Sequence, residues 1–143
     1  TGGGIKAFFT NSALKNTILV DNKANVRGGG MSNSYSTAEL NESSISNSRD
    51  GGAMDNNKSV VTLNHSVVNG NTCLFVLCSS GLRNNASTVT LNNSTVSNNF
   101  VGDAGDQTIF SFGQGALILN NSTISDNRRD PPSASSIAGI RSE

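Results

Sequence analysis

The sequence is poor in the residues on which many charge-driven or aromatic functions depend. It contains no Trp, one Tyr, one His and two Pro, and only 14% of its 143 residues are charged, with a formal net charge of zero. A neutral chain has no overall field that would attract it to nucleic acid or to an acidic membrane. The apolar run CLFVLC is far too short to span a bilayer. The sequence starts at TGGGI with no signal-peptide pattern, which indicates a processed chain or an excised fragment.

Cysteine is also scarce, and the two copies lie close together. Cys73 and Cys78 belong to the segment TCLFVLCSSG. A disulfide between them would close a short loop, which a secreted protein would tolerate. Two buried free thiols in an apolar insertion are equally compatible with the sequence, so both states remain open.

Serine, asparagine and glycine are abundant, with 22, 21 and 15 copies. Such a composition occurs in disordered chains, but those chains lack aliphatic residues at a fixed period. Here the aliphatic residues recur regularly. The polar majority is therefore expected to belong to an ordered repeat.

One nine-residue motif occurs five times, as LKNTILVDN from Leu14 and in later forms such as LNNSTISDN from Leu119. A second motif, GGGI or a variant, ends nine residues before each leading leucine, and a sixth copy begins at Ile140. The units carry short β-like runs and bend-forming Asn, Ser and Gly, without helical periodicity. This pattern predicts an all-β, right-handed parallel β-helix of five to six rungs rather than leucine-rich repeats. Residues 1–143 form one such domain or a segment of a longer solenoid.

Equivalent residues of successive rungs lie above one another, about 4.8 Å apart. The sequence therefore predicts three inward stacks of apolar side chains. The first contains Ile5, Met31, Met54, Leu82, Phe110 and Ile140; the second contains Leu14, Leu40, Leu63, Leu91 and Leu119; the third contains Leu19, Ile45, Val68, Val96 and Ile124.

Asparagines at the end of the leucine motif predict a hydrogen-bonded ladder between rungs. Its members are Asn22, Asn71, Asn99 and Asn127, with Ser48 in the second copy. Two further candidate ladders are Asn33, Asn56 and Asn84, and Asn16, Asn93 and Asn121, the latter interrupted by Glu42 and His65.

Differences in repeat length fall after this terminal asparagine, whereas the nine residues before the leucine stay constant. Variable loops are therefore expected along one edge of the solenoid, where repeat proteins often bind partners.

The GGGI segment followed, after a short linker, by LxLxNSTIxxN resembles the repeats of large bacterial surface and secreted β-helix proteins. These include the polymorphic outer-membrane-protein type and members of the pectate-lyase-like superfamily. The resemblance covers nearly the whole chain and is best in residues 80–127. It implies an extracellular or cell-surface location in a bacterium, and a role as an adhesin, a scaffold or a polysaccharide-acting enzyme. A shared fold does not choose among these roles.

Polysaccharide lyases of this fold resemble one another in clustering aspartates around calcium beside a Lys or Arg base. The aspartates of this chain do not recur at one position of consecutive rungs, and two carboxylates fall short of the six to eight oxygens of a calcium site. His65 fills a slot that other repeats give to Asn or Glu, and Arg128 and Arg129 suit an exposed turn. We therefore expect no catalytic residue, metal or cofactor, with weak calcium binding at Asp103 and Asp106 as the alternative. The aspartates considered are Asp21, Asp50, Asp55, Asp103, Asp106, Asp126 and Asp130.

A T/S-x-S array on successive strands is similar to that of ice-binding solenoids. It comprises Ser44 with Ser46, Thr95 with Ser97 and Thr123 with Ser125, and is interrupted by Val67 with Asn69 and Ile18 with Val20.

Both ends of the sequence fall within the repeat, so each end can pair with a neighbouring rung. That rung would belong to a second copy, giving a head-to-tail filament, or to flanking rungs of a longer chain. The sequence thus favours a non-enzymatic extracellular structural or adhesive protein. A polysaccharide-binding or lyase-like protein, with surface carbohydrate as partner, and an ice-binding solenoid are the alternatives. The residues expected at the assembly ends are Gly2, Gly3, Gly4, Ile5, Ile137 and Ile140.

Overall fold

The chain folds as a parallel β-solenoid of about five turns. The structure, a computed structural model, describes residues 3–74, 77–102, 107–129 and 139–143. These residues form strands and no helix, and the predicted β-helix class is confirmed.

Each complete rung contributes one strand to each of three long parallel sheets, and some rungs add a short fourth strand. Sheet A contains β1 (Ile5–Phe8), β4 (Met31–Ser34), β7 (Met54–Asn57), β11 (Leu82–Asn85), β15 (Ile109–Phe112) and β19 (Ile140–Ser142). Sheet B contains β2 (Asn11–Lys15), β5 (Thr37–Asn41), β8 (Val60–Asn64), β12 (Thr88–Asn92) and β16 (Ala116–Asn120). Sheet C contains β3 (Ile18–Val20), β6 (Ser44–Ser46), β9 (Val67–Asn69), β13 (Thr95–Ser97) and β17 (Thr123–Ser125), and sheet D contains β10 (Thr72–Cys73), β14 (Phe100–Val101) and β18 (Arg128–Arg129).

The core is a set of aliphatic columns that run through the rungs. Sheet B aligns Leu14, Leu40, Leu63, Leu91 and Leu119, and sheet C aligns Leu19, Ile45, Val68, Val96 and Ile124. The middle members are fully buried, whereas Leu119 is 41% exposed because β16 is the last strand of its sheet. Burial of each such side chain contributes about 1.5 to 3 kcal/mol.

Sheet A aligns Ile5, Met31, Met54 and Leu82 in one column, as the sequence predicted. The prediction that Phe110 continues this column is wrong. Ile109 occupies the inward position next to Leu82, and Ile140 pairs with Ile109 rather than with Phe110. The first-column residue of this rung, Ile109, therefore lies ten residues before Leu119. In the other four rungs the corresponding residue lies nine residues before the leucine.

The physical reason for this register lies in the neighbouring polar column. With Ile109 inward, Ser111 also points inward and its hydroxyl accepts a hydrogen bond from the Asn84 amide at 3.1 Å. The alternative register would turn Phe112 inward and leave that buried amide without an acceptor, which costs about 1 to 3 kcal/mol. Phe110 and Phe112 instead stack on the outer face with their ring centroids 4.8 Å apart.

Three corners in each rung are formed by a residue in the left-handed backbone conformation. At the corner from sheet B to sheet C, for example, Asn16, Glu42, His65, Asn93 and Asn121 all have φ near +50°. Asn is well suited to this conformation because its short polar side chain tolerates it. This column therefore sets the bend, and its members are exposed rather than joined in the ladder that the sequence predicted.

N-x-S triplets lie at two of these corners. Those that begin at Asn41, Asn64, Asn92 and Asn120 join sheet B to sheet C, and those that begin at Asn57 and Asn85 join sheet A to sheet B. In Asn64-His65-Ser66, the Asn64 amide donates to Asn41 Oδ1 at 2.8 Å, and the Ser66 hydroxyl donates to the Asn64 carbonyl at 2.8 Å. The Ser66 Oγ also accepts a hydrogen bond from the Ser43 amide of the preceding rung at 3.1 Å. The first residue of the triplet thus joins an outer asparagine ladder, the second forms the bend, and the serine hydroxyl hydrogen-bonds to both its own rung and the preceding one.

At the end of each leucine motif, asparagine amides form the predicted ladder in three rungs. Asn99 Oδ1 accepts from the Asn71 amide nitrogens, and Asn127 Oδ1 accepts in the same way from Asn99. Asn22 is not joined to it, because the intervening Ser48 has a shorter side chain whose hydroxyl finds no partner.

A second ladder lies inside the solenoid. The Asn33 amide donates to Asn56 at 2.8 Å, and the Asn56 amide donates to Asn84 at 3.0 Å. All three side chains are fully buried. The ladder begins at Asn33 because the first rung places Ala7 at this position, which leaves Asn33 Oδ1 without a partner.

Replacing Leu91 with Ala should lower the free energy of unfolding by about 2 to 5 kcal/mol, because Leu91 is fully buried between Leu63 and Leu119. Urea unfolding measures this change. Ile18→Ala is the matched control, since Ile18 is 71% exposed and its replacement should change stability by less than about 0.5 kcal/mol. A loss below about 0.5 kcal/mol for Leu91→Ala would contradict the burial of this column.

Replacing Asn99 with Ala should lower the free energy of unfolding by at least about 2 kcal/mol, because the buried amide of Asn71 loses its acceptor and the Val68 carbonyl loses its donor. Asn120→Ala is the control, since Asn120 is exposed and makes one outer amide bond. Equal destabilisation by the two variants would show that the inner ladder is no more important than the outer one.

Candidate functional site

Exposed aromatic side chains line an open groove at the corner between sheets A and B. This corner groove has a volume of about 660 Å³ and is lined by Phe9, Thr10, Asn11, Tyr35, Ser36, Thr37, Lys58 and Val60. The rings of Phe9 and Tyr35 stack with centroids 4.8 Å apart and planes 16° apart. Phe9 is 67% exposed and Tyr35 is 44% exposed. Phe8 packs edge-on against Phe9.

The backbone of the corner places these side chains side by side. Phe9, Tyr35 and Lys58 occupy the left-handed position of three successive rungs, with φ of 49°, 52° and 48°. Each follows a sheet A strand, so the parallel register stacks the three positions and turns their side chains outward. The Lys58 ammonium lies 5.2 Å from the Tyr35 ring centroid, close enough for a cation–π interaction.

The polar residues of the groove retain hydrogen-bonding capacity. Among the described residues, no hydrogen bond involves the side chain of Asn11 or Thr37, and Lys58 forms no ion pair. The Ser36 hydroxyl is satisfied, because it donates to the Ser34 carbonyl at 2.8 Å. The groove therefore combines an aromatic surface with an amide, hydroxyls and one cation.

A second outward group lies on sheet A. The Arg83 guanidinium forms an ion pair with Asp55 at 2.9 Å and lies 4.5 Å from the Phe112 ring centroid. Arg141 lies over Phe110 and pairs with Glu143. Because both cations are already paired with carboxylates, this row stabilises the sheet more readily than it receives a ligand.

The predicted aspartates are distributed over separate positions. Asp50 pairs with Lys23 at 2.9 Å and Asp55 pairs with Arg83, while Asp21 and Asp126 are exposed at the corner after sheet C. Within the described ranges, no group of three or more His, Cys, Asp or Glu side chains could hold a metal ion. Asp103, Asp106 and Asp130 lie outside the described residues.

The other singled-out polar residues have structural positions. His65 is exposed at a left-handed corner. Arg128 and Arg129 form β18, paired with Phe100 and Val101, so the turn expected there is wrong. This strand forms because sheet D continues the stacking beyond the corner that follows sheet C. Pro131 and Pro132 lie outside the described residues.

The serine and threonine array lies in register on sheet C, with Ser44, Val67, Thr95 and Thr123 in one column. In the adjoining column, Ser97 is nearly buried and its hydroxyl donates to Asn69 Oδ1 at 3.1 Å. The surface is less regular than the T/S-x-S pattern indicated, because Ile18 and Val67 interrupt the first column and the Ser97 hydroxyl is already hydrogen-bonded.

At the expected assembly ends, the amides of Gly3, Gly4 and Ile5 donate to carbonyls of the second rung. Among the described residues, β1 and β19 are the outer strands of sheet A, and Ile140 is 40% exposed. Gly2 and Ile137 lie outside the described residues.

Cys73 and Cys78 form a disulfide, with their Cα atoms 5.9 Å apart. Both residues are fully buried, and Cys73 belongs to β10, which pairs with β14. Of the two states that the sequence left open, the structure has the bonded one. The disulfide fixes the start of the loop that leads from sheet D back to sheet A.

No protein-family model, no curated protein and no solved structure matches this sequence. The described residues contain no helix that is long and apolar enough to cross a membrane. Function must therefore be inferred from the geometry of the chain itself.

Sequence reasoning missed the corner groove because it aligned the inward positions and the outward Ser/Thr array, but not the positions between the first strand and the leucine strand. Phe9, Tyr35 and Lys58 each stand five residues before a leading leucine. Aligning the outward positions in the same way would have placed the two aromatic residues on neighbouring rungs.

Replacing both cysteines with Ala should lower the free energy of unfolding by about 2 kcal/mol, the loop-closure contribution of a disulfide across so short a loop. Chemical unfolding of the oxidised, reduced and Cys73→Ala/Cys78→Ala chains measures it. The reduced chain and the double variant should unfold alike. Titration of two free thiols in the unfolded, unreduced chain would contradict the disulfide.

Proposed function

We propose that this chain is a non-enzymatic structural or adhesive protein of the cell surface or extracellular space, whose solenoid extends by stacking on further rungs. The observation that carries the proposal is the direction of the corner ladders. In the serine ladder between sheets B and C, and in the ladder of Asn71, Asn99 and Asn127, a backbone amide of one rung donates to a side-chain oxygen of the next.

In the last complete rung, the backbone amides at the two ladder positions lack acceptors among the described residues. The Ser94 amide donates to Ser122 Oγ and the Asn99 amide donates to Asn127 Oδ1. The amides of Ser122 and Asn127 themselves have no acceptor among the described residues. An incoming rung that presents side-chain oxygens at these two corners would satisfy them.

The first rung carries suitable acceptors. Thr17 stands at the ladder position of Ser43, and its hydroxyl donates to the Lys15 carbonyl at 3.0 Å, as the corner serines do. Asn22 stands at the ladder position of Asn127, and its side chain makes no hydrogen bond within the described residues. The first rung of a second copy thus matches the open amides of the last.

One strand must move for this contact to form. β19 already lies on β15 in sheet A, in the layer that an incoming β1 would occupy if β2 and β3 stacked on β16 and β17. The two strands therefore compete for one place. A flanking rung of a longer chain that continues from β19 would meet no such competition.

Two features support a location outside the cytoplasm. The disulfide suits an oxidising compartment, and the sequence resembles bacterial surface β-helix proteins of the polymorphic outer-membrane-protein and pectate-lyase-like groups. Sheets with open edges also pair readily with other chains, which suits a scaffold. We propose no cofactor and no catalytic centre for this module.

The chain should form end-to-end assemblies at high concentration, and removing residues 139–143 should favour them because the competing β19 is lost. Sedimentation velocity and electron microscopy measure assembly. Thr17→Val/Asn22→Ala should abolish it with little change in stability, since among the described residues these side chains make one exposed hydrogen bond.

Asn25→Ala is the control for assembly, because Asn25 is exposed and lies outside the ladders. A chain that stays monomeric near about 1 mM after removal of residues 139–143 would contradict stacking between copies. Assembly that survives Thr17→Val/Asn22→Ala would contradict the role of the corner ladders.

A further inference from the structure

We propose that the corner groove is a saccharide-binding site, in which a sugar ring packs on the Phe9–Tyr35 stack and its hydroxyls bond to the polar residues around it. The proposal rests on the adhesive part of the proposed function and names the class of ligand. It does not require that the chain stacks end to end.

The exposed aromatic surface is the first observation that favours a saccharide. Phe9 and Tyr35 expose two thirds and nearly half of their surface, although large aromatic side chains are ordinarily among the best buried. The face of an aromatic ring is electronegative, so it attracts the polarised C–H groups on the flat side of a pyranose. Because Phe9 and Tyr35 stack face to face, each ring covers one face of the other. The outer face of Phe9, with Phe8 at its edge, is the face on which a sugar ring would pack.

The backbone at this corner indicates that the aromatic side chains are not there to form the bend. Asn and Asp are the most frequent of the other non-glycine residues in this conformation, as at Asn16, Asn93 and Asp126. Bulky aromatic residues are unfavourable in this conformation. Phe9 and Tyr35 thus occupy positions for which Asn would be the better structural choice.

The polar groups favour a saccharide over an apolar occupant. The Asn11 amide, the Thr37 hydroxyl and the Lys58 ammonium line the groove beside the aromatic pair. Among the described residues these three groups form no hydrogen bond or ion pair, and Lys58 contacts the Tyr35 ring. An acyl chain or an apolar peptide face would cover these groups without bonding them, which is unfavourable. Sugar hydroxyls both donate and accept, so they match a mixed set of this kind.

The size and shape of the groove also fit a saccharide ligand. A volume of about 660 Å³ is within the range of small-ligand sites, about 300 to 1,000 Å³. The groove is open along the corner rather than closed, so a chain of sugars can enter it from the side. No acidic residue lines it, so neutral sugars and uronic acids are both admitted.

The test is binding of the whole chain to an immobilised panel of neutral and uronic-acid oligosaccharides of about three to six sugars, followed by calorimetry on the best binder. Phe9→Asn/Tyr35→Asn should weaken binding by at least about tenfold, because the stacking surface is lost. Its unfolding temperature should be unchanged or higher, because Asn suits the left-handed corner.

The matched control is Glu42→Asn/His65→Asn, which makes the same kind of change at the corner between sheets B and C and should leave binding unchanged. Two outcomes would overturn the site: no binding of the unaltered chain to any member of the panel, or equal binding by Phe9→Asn/Tyr35→Asn. If that variant also loses end-to-end assembly, the groove is a contact between copies and the saccharide assignment is wrong. Assembly without saccharide binding would overturn this proposal and leave the stacking proposal intact.

Discussion

The structure depends on one constraint, the parallel stacking of rungs in register, which places every side chain above its counterpart in the rung below. Any column must therefore be filled by residues that tolerate their own kind as neighbours. Leu, Ile and Val do so by excluding water, and Asn does so because its amide is both a donor and an acceptor. The leucine column of sheet B and the buried column Asn33, Asn56 and Asn84 are two solutions to the same problem. The corners add a third, in which serine caps the bend and receives the amide of the preceding rung.

The same constraint gives the solenoid a direction and makes its end rungs chemically different from each other. Backbone amides in the serine ladder and in the ladder of Asn71, Asn99 and Asn127 point toward later rungs, and the side-chain oxygens that accept from them point toward earlier ones. The open backbone amides of Ser122 and Asn127 are therefore complementary to the side chains of Thr17 and Asn22. Much of the polar chemistry of the described residues is thereby engaged in the fold. Asp50 and Asp55 are likewise engaged in ion pairs. The corner groove is the clearest exception, because its aromatic and polar side chains project outward from positions where the backbone needs only a bend. The stacking and the saccharide binding that we propose thus involve different residues of the same rung.

The sequence by itself determined the repeat, the parallel β-solenoid and the residues of the sheet B and sheet C columns, because a fixed period of aliphatic residues can be buried only by stacking equivalent positions. It also located the ladder at Asn71, Asn99 and Asn127. It could not decide the register of β15, where Phe110 kept the sequence spacing but Ile109 was required inside so that Ser111 could meet the Asn84 amide. Nor could it decide between a bonded and a free pair at Cys73 and Cys78, since that depends on the distance between their Cα atoms in the folded loop. Strand β18 and the pairing of Phe9 with Tyr35 were likewise decided by tertiary structure alone. Periodicity identifies which residues share a column, whereas contacts between columns and across corners exist only when the rungs have closed around one core.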